Sequence, residues 1–250
     1  MSPVTAWQDD DARSRELSAR LRGVQERIAA ASAAAGRTAP ELIVVTKFHP
    51  AADVARLHAL GVREVGENRD QEASAKAAEL ESLSDLRWHF IGQLQSNKAK
   101  SVVRYASAVH SVDRISLVDA LSRAVGLEQE RRGRESLDVL LQVNLDPAAV
   151  SAGDGGRGGA LPDELPALAE RAAGAAGLRL RGLMAVAPLG ADPREAFGRL
   201  AELAVRLRQD HPSADQLSAG MSHDLEEAIA CGATHLRIGT DVLGPRPAMG

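Results

Sequence analysis

What most constrains this chain is an alternation: eight short strand-forming segments separated by seven helical ones. The strand-type segments are residues 42–45, 62–65, 87–91, 107–112, 137–144, 178–186, 215–218 and 234–238. Helical patterns fill 51–60, 69–81, 96–104, 114–131, 163–176, 193–209 and 223–231. Strands separated by helices need right-handed crossovers and build a parallel sheet, and eight of them can close on themselves. The expected fold is therefore α/β, a single (β/α)8 TIM barrel, with a doubly wound open sheet as the alternative. An extra helix over 12–35 precedes the first strand, with Leu17, Leu21, Val24 and Ile28 at spacings of three and four and Gly36 at its end.

The chain has 250 residues, a common length for one such barrel, so residues 11–250 are expected to form one domain behind a flexible extension over 1–10. A net charge of -4 provides no basic footprint, which argues against nucleic acid or an anionic membrane as partner. Cys231 is the single cysteine, so an internal disulfide and any multi-cysteine metal site are excluded. The acidic start lacks a basic region and an apolar stretch, and no later run has membrane-spanning length. A soluble cytoplasmic monomer is expected.

The chemistry begins at Glu41–Pro50, ELIVVTKFHP, where an apolar strand ends in Lys47. Ligands of α/β folds bind beyond the carboxyl ends of the strands, so this lysine is placed to react or to hold an anion. Against that stands the ordinary role of a lysine as a solvated surface group. The loops after strands seven and eight are the expected anion cradle. There LSAGMSHDLEEA provides Ser218, Gly220 and Ser222, and RIGT provides Gly239 and Thr240. Ser222 reads equally as a helix N-cap, and Asp224 nearby is an objection to an anion. Alternation in strand eight sends Leu236 and Ile238 one way and Arg237 the other, into the barrel, where it needs an acceptor. An ion pair with a barrel carboxylate is the structural reading of Arg237.

Between strand five and the next helix, five of the seven residues from Gly153 to Gly159 are glycine. This stretch lacks the G-K-[ST] ending of a phosphate loop and does not open a helix after a strand, so it reads as a flexible loop, placed to act as a lid.

A lysine, an anion cradle and an inward arginine on one face describe a site for a phosphorylated carbonyl compound, and pyridoxal 5′-phosphate (PLP) meets that description. Capture of its aldehyde requires a partly neutral Lys47, so desolvation or nearby cations are expected to favour the free amine.

The segments TKFHP, GENRDQE, WHFIGQLQSNK, HSVDR, LQVNL, RGLMAVAP, LSAGMSHDLEEAI and RIGT resemble successive motifs of the YggS/PROSC family, the pyridoxal-phosphate homeostasis proteins, over Glu41 to Gly244. The resemblance implies a lone barrel similar to the N-terminal domain of alanine racemase. It further implies Lys47 as the covalent aldimine lysine, Ser218, Ser222, Gly239 and Thr240 around the phosphate, Arg237 near the ring nitrogen and Asn68 beside the ring. Asn68 also reads as a capping box with Gln71. Departures from the pattern are Val65 in place of a phenylalanine and the glycine-rich loop.

No catalytic residue and no metal ligand is assigned. A PLP-dependent racemase is the rival, but its second base is a tyrosine from a separate domain, and Tyr105 is the chain's single tyrosine, expected at the wrong end of a strand. A metal hydrolase would rest on His89 and His110, which lack ligand spacing and read as packed, satisfied histidines. A Schiff-base aldolase would need the lysine but not Arg237. The reading is a holder of PLP that buffers it or passes it to apo-enzymes, without substantial catalysis.

Overall fold

The computed structural model describes residues 12–146 and 158–246. The N-terminal extension and most of the glycine-rich segment for which a lid role is expected lie outside them. Eight parallel strands form a closed barrel in sequence order: β1 (Glu41–Val45), β2 (Glu64–Glu67), β3 (Arg87–Phe90), β4 (Ala106–Val112), β5 (Leu137–Gln142), β6 (Leu178–Met184), β7 (Gln216–Ser218) and β8 (His235–Ile238). Pairing of β1 with β8, Val44 opposite Ile238, closes the ring and excludes the open sheet.

The helices are α1 (Ala12–Ala35), α2 (Ala51–Ala59), α3 (Asp70–Glu79), α4 (Ala99–Val102), α5 (Ile115–Arg132), α6 (Leu165–Ala173), α7 (Pro193–Asp210), α8 (Leu225–Ala230) and α9 (Thr240–Leu243). As the periodicity requires, α1 buries Leu17, Leu21, Val24 and Ile28, and Gly36 turns the chain at φ 61°. It packs against α8 and α9, below the loops that follow β7 and β8. None of the helices is long and apolar enough to cross a membrane, among the described residues.

Two elements differ from the expectation. The segment 96–104 forms a 3-10 turn over Ser96–Lys98 and only one α-turn after it. Strand β2 starts at Glu64, not Val62, and runs through Gly66 to Glu67. Its inward positions carry a carboxylate and a glycine, so its apolar pattern is weak although every residue is buried.

Strand side chains alternate between two cores. Val44, Val65, Trp88, Phe90, Leu141, Leu217, Leu236 and Ile238 face outward into a continuous layer with Leu17, Leu57, Leu121, Phe197 and Leu225 of the helices. Branched apolar residues dominate the interior of most such barrels. Here Ile43, Val45 and Leu140 share it with buried Glu64, His89, His110, Ser218, His235 and Arg237. His89 and His110 are packed and hydrogen-bonded as expected, to each other and to Glu64 and Ser218.

Burial holds His235 down at about 4. Its Nδ1 bonds Thr234 Oγ1 at 2.7 Å, and Glu41 stands 3.6 Å from Nε2. The unfolded chain binds this proton near the ordinary histidine value and the folded chain only near 4. The contribution of neutral His235 is therefore full above about pH 6.5 and is lost as pH falls toward 4, about 3 kcal/mol in all. His235→Gln should flatten the loss of stability between pH 7 and 4 by about that amount in urea titrations. An unchanged pH slope would contradict it.

Candidate functional site

Lys47 lies two residues past the end of β1, in a turn whose shape is set from below. Phe48 takes φ 69°, the one described non-glycine residue in the left-handed region, and its N–H donates to Glu72 Oε1 at 2.5 Å. Buried Lys76 of α3 donates to Thr46 O at 2.8 Å, Glu67 Oε1 at 2.7 Å and Glu72 Oε1 at 2.6 Å. Thr46 Oγ1 donates to the same Glu67 oxygen at 2.7 Å. Residues 46 and 48 are thus both pinned, and Lys47 between them is exposed, its amine without a partner among the described residues. Burial raises the Glu67 carboxyl even against Lys76.

Lys47 is exposed, so the burial expected of it is absent. Cations do stand nearby: Arg246 and Arg69 stack on the Phe48 ring at 3.9 and 5.1 Å.

The β1–β8 pairing brings the RIGT turn beside this lysine. A Cβ on Gly239 would sit 3.1 Å from Val45 O and 3.3 Å from Val45 Cβ, so the bare backbone there lies against the strand carrying Lys47. Thr240 follows, exposed. Behind it Gly220, at φ +92°, packs so closely that a Cβ would come within 2.7 Å of Ala228 and Leu236.

Ser222 is not the helix cap. The helix starts at Leu225, with Asp224 in the cap position and its carboxylate accepting the Met221 N–H at 2.6 Å. Asp224 is thereby turned toward its own loop, and burial raises its carboxyl, which weakens the objection to an anion. The Ser222 hydroxyl has no partner among the described residues. Its carbonyl accepts from Arg27 Nη1 at 2.9 Å, and the same guanidinium pairs with Glu226 and Asp241, so α1 ties the two loops together.

Arg237 points inward as alternation requires and is buried. It makes no ion pair among the described residues; Nη1 donates to Ser218 Oγ at 2.6 Å and Nη2 to Ala185 O at 2.8 Å. Burial lowers it to about 10, which leaves it a cation at neutral pH. Ser218 stands at the end of β7, beneath the loop expected to hold an anion. Its hydroxyl is fully buried and bonded to Arg237 and His110, so it supports the guanidinium from inside the barrel.

Asn68 is not a cap either: Arg69 holds that position without a side-chain bond, and Asn68 Oδ1 is buried with no partner. Gly92 lies against it so closely that a Cβ would overlap the Asn68 backbone. Where the chain returns from the glycine-rich segment, Gly158 lies against Gln93 and Gln142 at the same mouth. Tyr105 sits just before β4, packed against the helix-side core, with its hydroxyl 3.4 Å from Asp70 Oδ1.

The site therefore offers an amine and two hydroxyls beside glycine backbone, each unpartnered among the described residues, with the Asn68 amide oxygen and a buried guanidinium. That set of donors with one acceptor fits a phosphate ester with a carbonyl group and a ring nitrogen. Sequence reasoning missed Lys76, Glu67, Glu72 and Arg27. The i, i+4 pairing of Glu72 with Lys76 was visible, but such pairs usually lie on solvated faces.

Residues 20–247 match the family model described as alanine racemase, N-terminal domain. The pyridoxal phosphate homeostasis protein of Mycobacterium tuberculosis is 47% identical over 250 residues, covering 94% of each chain. Its counterpart in Escherichia coli is 35% identical over 238 residues, covering 92% of this chain and 97% of that one. Among solved structures, PipY of Synechococcus elongatus with PLP bound superposes with a TM-score of 0.77 at 36% identity, covering 91% of this chain and 100% of that one. The sequence motifs, the closed barrel and these matches agree: the chain belongs to the pyridoxal phosphate homeostasis protein family, within the alanine racemase N-terminal domain fold.

Proposed function

We propose that this protein binds PLP covalently through Lys47 and serves intracellular PLP homeostasis, as a cytoplasmic monomer that buffers the cofactor or hands it to apo-enzymes. The observation that carries the reading is the unpartnered Lys47 amine beside the Gly239–Thr240 turn, with the Arg237 cation behind it. When bound, PLP supplies an aldehyde that a primary amine can capture. Ser222, Gly239 and Thr240 would hold the phosphate with hydroxyl and backbone donors. Arg237 would serve the ring nitrogen, where a guanidinium disfavours ring protonation. Asn68 would lie beside the ring.

The reading as a carrier is supported by the position of Tyr105, which lies in the helix layer with its hydroxyl toward Asp70, and burial raises it further from use as a base. With PLP added, the purified protein should show a visible absorption band and the mass of one protein chain. Amino-acid racemisation and decarboxylation should stay far below enzymic rates of about 1 to 1,000 per second. Turnover in that range would remove the carrier reading.

A further inference from the structure

Five buried groups form an unbroken hydrogen-bonded line through the barrel. Arg237 Nη1 donates to Ser218 Oγ at 2.6 Å, Ser218 Oγ meets His110 Nδ1 at 2.9 Å, His110 Nε2 meets His89 Nδ1 at 2.8 Å, and His89 Nε2 meets Glu64 Oε2. The residues come from β8, β7, β4, β3 and β2, so the Ser218–His110 bond crosses the interior. All five are less than one-tenth exposed.

The ends of this line set its direction. A guanidinium can only donate and a carboxylate can only accept. Ser218 Oγ already accepts from Arg237, so its one proton must go to His110 Nδ1, its only other partner; otherwise a fully buried hydroxyl proton is wasted. His110 must then carry its proton on Nε2 and donate to His89 Nδ1. That leaves His89 Nε2–H for Glu64. Each donor meets one acceptor, with a cation at the top and an anion at the floor. Complete burial, which favours the neutral imidazole, agrees with a single proton on His110.

We propose that Glu64, His89, His110 and Ser218 form a directional relay that supplies the distant counter-charge of Arg237 and fixes its orientation toward the cofactor. The four are positioning residues. The relay itself stands on the unliganded geometry; its effect on the cofactor rests on the function proposed above. Aligned bonds in a dry interior polarise one another, which gives the remote carboxylate a path to the guanidinium. Other charges at the floor are Arg87, 3.4 Å from Glu64 Oε1, Glu41 of β1, Asp138 of β5 and Arg179 of β6, the last two paired at 2.6 Å. Asp224 is the charge that acts on Arg237 from the α8 side.

The test uses the full chain with 15N-labelled histidine and no cofactor. Long-range proton–nitrogen spectra, assigned with His89→Gln and His110→Gln, should show His110 protonated on Nε2 with a hydrogen-bonded, unprotonated Nδ1. Ser218→Ala should move that Nδ1 resonance toward its unbonded position. His110 protonated on Nδ1 in the wild type would overturn the relay, whatever the variants do. With PLP added, Glu64→Gln should still load at saturation but shift the absorption band and raise the dissociation constant about tenfold, the worth of one charge-assisted hydrogen bond. An unchanged band and affinity in Glu64→Gln, with the wild-type tautomers as expected, would overturn its action on the cofactor. Failure of the wild type to load at all would count against the proposed function and leave the tautomer result to judge the relay.

Discussion

Lys47→Ala is expected to abolish covalent retention of PLP while leaving the fold intact. The side chain is exposed and makes no hydrogen bond or ion pair among the described residues, so its removal should change stability by no more than about 0.5 kcal/mol. Loss of the amine removes the one group there able to form a covalent bond with an aldehyde. After borohydride reduction, intact mass should show one cofactor equivalent on the wild type and none on the variant. The visible band should vanish with it. Lys76, Lys98 and Lys100 remain as controls, since Lys76 is buried and committed to two carboxylates and Lys98 faces Asp70 at 4.0 Å. A variant that keeps a full equivalent of reduced cofactor would assign the attachment to another lysine.

The second large effect concerns Lys76. Its ammonium is the shared donor for Thr46 O, Glu67 and Glu72, and Glu67 is almost wholly buried. Lys76→Met leaves buried carboxylate charge without a cation, a change that typically costs about 3 to 5 kcal/mol. For a chain of this size that corresponds to a fall of roughly 10 °C in Tm. Because Thr46 and Phe48 flank Lys47, the variant should also hold PLP less firmly. Adding Glu67→Gln should recover part of the stability, since the amide no longer needs a cation. A Lys76→Met protein that melts within a degree of the wild type would show that the brace contributes little. Weaker retention at unchanged stability would assign Lys76 a role at the site alone.

Much of the barrel was legible because its outward face obeys simple periods. Leu236 and Ile238 alternate with Arg237, and α1 repeats every three and four residues; both patterns held in the structure. Strand β2 was misplaced by two residues because its inward positions are Glu64 and Gly66, which an apolar pattern does not register. Ser218 was assigned to the phosphate since serine in a glycine-rich loop offers a hydroxyl. In the structure its hydroxyl meets Arg237 of β8 and, across the barrel, His110 of β4, a link that no local pattern announces.

By itself the sequence determined the order of strands and helices, the placing of Lys47 at the end of the first strand and the inward aim of Arg237. These follow from periods of 2 and 3.6 residues and from turn chemistry, all local properties of the chain. Only the tertiary structure decided that β1 closes on β8, that Lys76 is buried while Lys47 is free, and that Glu64 is linked to Arg237 through two histidines and a serine. Each of those depends on groups brought together from distant strands and helices, and no local pattern encodes which buried donor will meet which acceptor.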